Sequence, residues 1–357
     1  MQKFKEMLKC NFVNIALVFT VLLQLLLSFQ GFDICDEGFS LTFYQQFFNA
    51  PESVEYNFAY WLSGLFGGVF YELYPTGGIL WFRAIAILVN TGTLYLSYKL
   101  LSKYINKNIA MLGLVMAMFI NDFGFLVFYH NHLTAFLAVL TIAMLVKGVT
   151  ANKTGYLVCA GVIYAINIFT RLPNATLGLF ILAIPLFCYL NNLGAKAALK
   201  KMLWFCLGSL IGTGFIALIL VLFGQFEIME RSIFGIFDSG NSPKSNHNFA
   251  NLFKVYAASI LAIFKSIIKF IGIVFVFVLS HKFLFKYKYA IVVCNLLFAI
   301  IFGFLFYSNT IIPLYGIALV GGCGVLCFVE NKALKIVVFL ALIMALVLPF
   351  GSDGGMY

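Results

Sequence analysis

Residues 11–29, NFVNIALVFTVLLQLLLSF, form an apolar run without a single charged side chain, and this run decides the fold class. A helix needs about 20 such residues to cross a bilayer, because each residue rises about 1.5 Å through hydrocarbon about 30 Å thick. The run follows a lysine-rich start at Lys3, Lys5 and Lys9, but it is long and no small-residue cleavage pattern comes after it. The sequence therefore predicts an uncleaved first span rather than a removed signal peptide. The same texture continues to the end. With 63% hydrophobic and 10% charged residues, and a mean hydropathy of +1.01, the chain cannot clothe a soluble core with a solvated surface. Continuous apolar stretches recur where a β-barrel would alternate apolar and polar residues. Helices satisfy their backbone groups internally, which is what lipid demands. The expected fold is all-α: a polytopic transmembrane helical bundle forming one integral membrane domain over residues 1–357.

A net charge of +10 would suggest a nucleic-acid partner in a soluble protein. Here the basic residues sit in the short segments between apolar runs: Lys99, Lys103 and Lys107, then Lys147 and Lys153, then Lys196, Lys200 and Lys201, then Lys282, Lys286 and Lys288, then Lys332 and Lys335. If spans alternate, these and the N-terminal lysines share one face, and most of the 13 acidic residues fall on the other. That pattern reports orientation, not nucleic acid, and it predicts a cytoplasmic N-terminus. The expected spans number about eleven, near 12–30, 77–98, 109–128, 132–147, 155–171, 174–191, 202–224, 254–280, 290–308, 311–329 and 334–350.

Two outer segments stand apart from otherwise tight connections, residues 31–76 and 225–253. Long loops in a compact membrane protein are usually functional. In the first, Gly38–Asn49 and Tyr56–Tyr71 are rich in aromatics, as expected of interfacial helices that would roof an outward-facing cavity. The second ends in a turn-rich stretch, DSGNSPKSNH at 238–247, expected to move as a gate or to serve as a linker. No glycine-rich phosphate loop is present, which argues against ATP-driven chemistry. Seven of the eight cysteines lie in or beside predicted spans and Cys35 is the outer exception, so no disulfide framework is expected. Cys323 and Cys327, beside Gly321, Gly322 and Gly324, read as small-residue helix packing.

The first outer segment opens with an acidic cluster, FDICDEG at 32–38, containing Asp33, Asp36 and Glu37. A carboxylate beside the bilayer, under an aromatic roof and next to like charges, has its proton affinity raised and can serve as a general base near neutral pH. The alternative is a solvated juxtamembrane cap. An arginine inside an apolar span must be paired, so Arg83 is expected to face the interior with Glu72 or Asp122 as partner. Asp122 is itself an intramembrane carboxylate. Close after it come Tyr129, His130, Asn131 and His132, whose two imidazoles could hold a divalent metal with nearby carboxylates, or could hydrogen-bond within an interfacial turn. Lys265 and Lys269, one turn apart in a predicted span, mark a polar cavity wall or a displaced boundary.

A cytoplasmic N-terminus, one span, and a long outer segment opening with the acidic pair Asp36-Glu37, preceded by Asp33, resemble the GT-C superfamily of membrane glycosyltransferases, of the mannosyl- and aminoarabinosyl-transferring kind. The stretch GVIYAINIFTRLP at 161–173 resembles the span of that group that ends in a basic residue and a proline. The resemblance covers most of the chain through short motifs. It implies an enzyme of the plasma (inner) membrane, with its active site on the periplasmic or extracellular side. The donor would be a polyprenyl-phosphate-linked sugar, the acceptor a lipid, a glycan or a protein, and no cofactor would be required. It assigns the acceptor-activating base to Asp36, with Glu37 as neighbour and Asp33 as the alternative, and the expected displacement inverts the anomeric centre. The leaving phosphate needs cations, for which Arg171 beside Pro173 is the first candidate, followed by Arg83 and Arg231, with Lys244 and Lys254 also on the outer face. Arg171 could equally snorkel to headgroups. His130, His132 and Asp122 are candidates for the same donor site, although His130-Asn131-His132 stands where related enzymes often carry an acidic residue. The chain also stops without the further spans or soluble domain common in that group, which suggests a compact member or a truncated chain. A lipid-linked saccharide flippase or other transporter, and a noncatalytic membrane scaffold, are the competing readings.

Overall fold

The computed structural model describes residues 2–31, 36–119, 127–241, 248–284, 286–306 and 311–351, and all regular structure among them is helical. They divide into two compact units. The first comprises Met1–Ser239 and Lys332–Leu340, and the second Gly240–Asn331 and Ala341–Tyr357. The first contains α1 (Gln2–Leu27), α2 (Asp36–Gln46), α3 (Trp61–Leu73), α4 (Gly78–Leu101), α5 (Lys107–Phe119), α6 (His130–Thr150), α7 (Thr154–Ile168), α8 (Ala183–Leu190), α9 (Gly194–Leu222) and most of α10 (Phe226–Asn241). The second contains α11 (Phe249–Leu284), α12 (Lys288–Phe306) and α13 (Ile311–Phe328), and α14 (Lys332–Val347) is divided between the two. Among the described residues, five segments are long and apolar enough to cross a membrane: Pro75–Leu101, His130–Thr150, Leu172–Leu190, Gly194–Leu222 and Ala250–Leu284. The segment expected to span 109–128 is helical over Lys107–Phe119 among the described residues.

In the first unit the polarities of the helices sort charge. The C-terminal ends of α4 and α6 and the N-terminal ends of α5, α7 and α9 gather Lys99, Lys103, Lys107, Lys147, Lys153, Lys196, Lys200 and Lys201. At this lysine end, Lys201 Nζ hydrogen-bonds Asn152 Oδ1 in the α6–α7 turn, where Asn152 takes a left-handed conformation at φ 51°. Asparagine tolerates that region better than β-branched or bulky residues do. The opposite end collects the C-termini of α1, α7 and α9 with the N-termini of α4 and α6. Cross-links there include the Leu62 N–H to Phe169 O at 2.8 Å and the Phe128 N–H to Phe82 O at 3.1 Å.

Glycines bring α7 and α9 into backbone contact. Added methyl groups would overlap the Phe205 carbonyl from Gly161 and the Val158 carbonyl from Gly208, and would sit 2.7 Å from the Val162 carbonyl from Gly212. Gly208 and Gly212 form a small-xxx-small pair, the spacing that lets apolar helices touch without side chains between them. Because the obstacle is carbonyl backbone rather than a flexible side chain, Gly208→Val is expected to cost about 3 kcal/mol or more. Thermal unfolding in nanodiscs would check this, and an unchanged midpoint would contradict the contact.

The segment expected to lie as interfacial helices forms a buried aromatic core at the non-lysine end. Phe47, Phe58 and Trp61 are each 0% exposed. The Phe47 and Phe58 rings stack at 5.7 Å, and Tyr44 stacks on Phe82 at 5.3 Å. Gly64, Gly67 and Gly68 of α3 explain the burial, since a Cβ at any of them would strike the rings of Phe43, Tyr44, Phe47 or Phe48. The candidate span Leu172–Leu190 opens as a 3-10 helix over Leu172–Leu182 and passes into α8. In the second unit α11 packs against α12 and α13, and Tyr256 donates to the Leu346 carbonyl at 2.7 Å. The small-residue packing expected around Cys323 and Cys327 rests on Gly322 against Leu342, while both cysteines are exposed.

Candidate functional site

Arg83 enters on the second turn of α4 and is 2% exposed. Its Nη1 donates to the carbonyls of Ser28 at 2.7 Å and Gln30 at 2.9 Å. Its Nη2 donates to the Gly31 carbonyl at 2.6 Å and to both carboxylate oxygens of Glu37 at 3.2 and 3.3 Å. Among the described residues its buried Nε meets no hydrogen-bond partner. The guanidinium thus gathers the carbonyls that follow the end of α1, groups that a helix terminus leaves without internal donors. Glu37 is 1% exposed, so this is an ion pair removed from solvent. The expected pairing with Glu72 is not made: Glu72 accepts a bond from Asn49 at 3.4 Å, and Asp122 lies outside the described residues. Glu72 sits on α3, whereas Glu37 lies on the first turn of α2, beside the end of α1 that the guanidinium already holds.

The acidic cluster is therefore divided by burial. Asp33 lies outside the described residues, Glu37 is committed to Arg83, and Asp36 opens α2 with an exposed side chain. Both carboxylates sit in the first turn, where the positive end of the helix dipole favours them. Two turns on, the Tyr44 hydroxyl donates to the Phe128 carbonyl at 2.9 Å, which ties α2 to the start of α6. Burial pushes the Tyr44 phenol well above its ordinary range, so it remains a neutral donor. Asp36 stands about 12 Å from that tie along the helix axis.

Two residues past Phe128 comes the histidine pair. Tyr60 stacks on His130 at 4.2 Å with an 18° tilt. His132 turns the other way, its Nδ1 accepting the Tyr129 N–H at 3.3 Å as an N-terminal capping group. Arg171 lies within electrostatic reach of His130 and precedes the 3-10 segment, its carbonyl accepting the Asn174 N–H at 2.9 Å. So Tyr60 packs on His130, with Arg171 within electrostatic reach of that imidazole, and Arg83 separately pairs with Glu37, at one end of the unit. Arg231 stands apart on the exposed surface, pairing with Glu55 at 2.8 Å and Glu52 at 3.9 Å. The hydrogen bond to Glu55 holds its pKa above its ordinary value. Among the described residues, no group of three or more His, Cys, Asp or Glu side chains is placed to hold a metal ion.

Beneath His130 lies a polar cluster with no local signature in the sequence. Asn174 Nδ2 lies within hydrogen-bond distance of Thr134 Oγ1 at 2.8 Å and of the carbonyl and side-chain oxygens of Asn167 at 3.0 and 3.1 Å. It knits α6, α7 and the 3-10 segment together. The same holds for Gln225. It accepts the Trp61 indole N–H at 2.9 Å and donates to the Phe47 carbonyl at 3.0 Å, all within the buried core. Gln225→Ala strands both groups, so a loss of about 2–4 kcal/mol is expected. Thermal unfolding with Trp61 fluorescence as the probe would measure it, and a loss below about 0.5 kcal/mol would contradict the double bond.

No family model matches this sequence, and neither a curated protein nor a solved structure matches it.

Proposed function

We propose that this chain is a GT-C-type membrane glycosyltransferase that takes a sugar from a polyprenyl-phosphate carrier on the outer face of the membrane. In this reading it is a bundle of about eleven spans with a cytoplasmic N-terminus, and the lysine end faces inward. The observation that carries the reading is the division of the acidic pair. Glu37 anchors the start of α2 through Arg83, which leaves the adjacent, exposed Asp36 as a carboxylate on a fixed platform. A general base must be both accessible and held in place.

Asp36 takes the proton of an acceptor hydroxyl or amine as that group forms its bond to the anomeric carbon. The bond between that carbon and the carrier phosphate breaks, and the phosphate leaves with the electron pair. Arg171, within electrostatic reach of His130, is the cation suited to receive that charge. Arg83 serves by positioning, because four of its N–H groups are committed to chain carbonyls and Glu37.

One observation favours the transporter reading. The candidate span Leu172–Leu190 begins with eleven residues of 3-10 helix, and discontinuous spans are common where transporters bind substrate. Product analysis separates the two. Nanodisc-reconstituted protein incubated with polyprenyl-phosphate sugars and candidate acceptors should yield a glycosylated acceptor by mass spectrometry. Movement of intact lipid-linked saccharide across vesicles, with no cleaved carrier, would sink the transferase.

A further inference from the structure

The second unit carries an unmatched pair of charges at the centre of its longest helix. Lys265 and Lys269 are both exposed on α11, within the candidate span Ala250–Leu284. Neither has a hydrogen-bond or ion-pair partner among the described residues. The polar limits of the apolar stretch are Lys254 and Lys282, about 42 Å apart along the axis. Lys265 stands about 16 Å from the first and Lys269 about 20 Å from the second. A hydrocarbon layer of about 30 Å centred on that stretch places both ammonium-bearing residues about 10 Å or more below either surface. The described acidic residue of this unit is Glu330, past the end of α13. It lies about 21 Å along the chain from Gly316, the position that packs beside Ile267 between the two lysines.

A groove of about 810 Å³ runs between α11 and α12 with Lys269 lining it. The α11 positions that line it include 269, 272, 276 and 280, the three-and-four spacing of a helix-packing seam. Small residues, Gly272 and Ser280 on α11 and Ala290 and Cys294 on α12, alternate in its lining with bulkier apolar ones such as Phe277 and Phe298, and a Cβ added at Gly272 would meet nothing within 4 Å. An acyl chain would fill such a groove without answering the charge. A lipid phosphate would answer the charge but belongs at the surface, about 10 Å away.

We infer that the α11–α12 groove receives a transmembrane helix of a partner protein bearing an aspartate or glutamate at mid-depth, which pairs with Lys269 and Lys265. Intramembrane charges of opposite sign on neighbouring helices neutralise each other's cost in hydrocarbon, and small residues let the backbones approach. The inference does not rest on the transferase reading and would survive its failure.

The test uses the full chain, donor-labelled, in phosphatidylcholine vesicles, with an acceptor-labelled synthetic helix of about 23 leucines and alanines carrying one central aspartate. Energy transfer should saturate at a peptide-to-lipid ratio roughly tenfold lower than for the same peptide with a central leucine. The Lys265→Met/Lys269→Met double variant should abolish that discrimination, and Lys265→Arg/Lys269→Arg should retain it. Equal association of the two peptides with the unaltered chain would overturn the inference without reference to any variant. So would discrimination that survives the methionine pair. Loss of the aspartate-peptide signal when phosphatidylglycerol replaces part of the phosphatidylcholine would also overturn it, by assigning the lysines to lipid phosphate.

Discussion

Arg83→Met is expected to lower the stability of the first unit by about 3–5 kcal/mol, because it leaves the Glu37 carboxylate buried without its cation. The same change strips the donors from the carbonyls of Ser28, Gln30 and Gly31. The two contributions can be separated. Glu37→Gln removes the charge pair but leaves the guanidinium solvated by three carbonyl dipoles, so it should cost less than Arg83→Met. Arg83→Met/Glu37→Leu removes both charges and should recover the part of the loss due to the stranded carboxylate, while the carbonyl part remains. Thermal midpoints of the wild type and the three variants in one lipid composition would establish the order. If Arg83→Met melts with the wild type, the clamp is not holding the structure.

Asp36→Asn should leave stability nearly unchanged, since the side chain is exposed, and should lower turnover by about 10²–10⁴-fold if it is the general base. The asparagine keeps shape and hydrogen-bonding capacity but cannot accept the acceptor's proton at neutral pH. Contrast with Arg83→Met makes the result interpretable. Loss of turnover with an unmoved melting temperature indicts the chemistry at Asp36, whereas loss of both indicts the platform beneath it.

Much of the fold could be read directly because lipid imposes length: uninterrupted apolar runs such as 11–29 have few alternatives to a helix. That Arg83 would be interior and paired followed from its cost in hydrocarbon. Its partner did not, because the choice of Glu37 over Glu72 is a long-range pairing between the start of α2 and α4 with no local signature. The stretches 38–49 and 56–71 read as interfacial because they are rich in aromatics and moderately polar, and the glycines of α3 account for the close packing of their rings. The Gly208-x-x-x-Gly212 spacing was visible and was passed over. The 3-10 geometry of LPNATLGLFIL had no such cue, since its composition suits an ordinary span. Asn167 and Asn174 were equally plain as polar residues in apolar sequence, yet their convergence with Thr134 is a property of three separate segments.

The most direct measurement is release of carrier phosphate from a panel of polyprenyl-phosphate sugars, by wild-type protein and Asp36→Asn side by side in nanodiscs. The account predicts release by the wild type from at least one donor and its loss in a variant that melts at the wild-type temperature. Release undiminished by Asp36→Asn, or none from any donor by folded wild type, would contradict it.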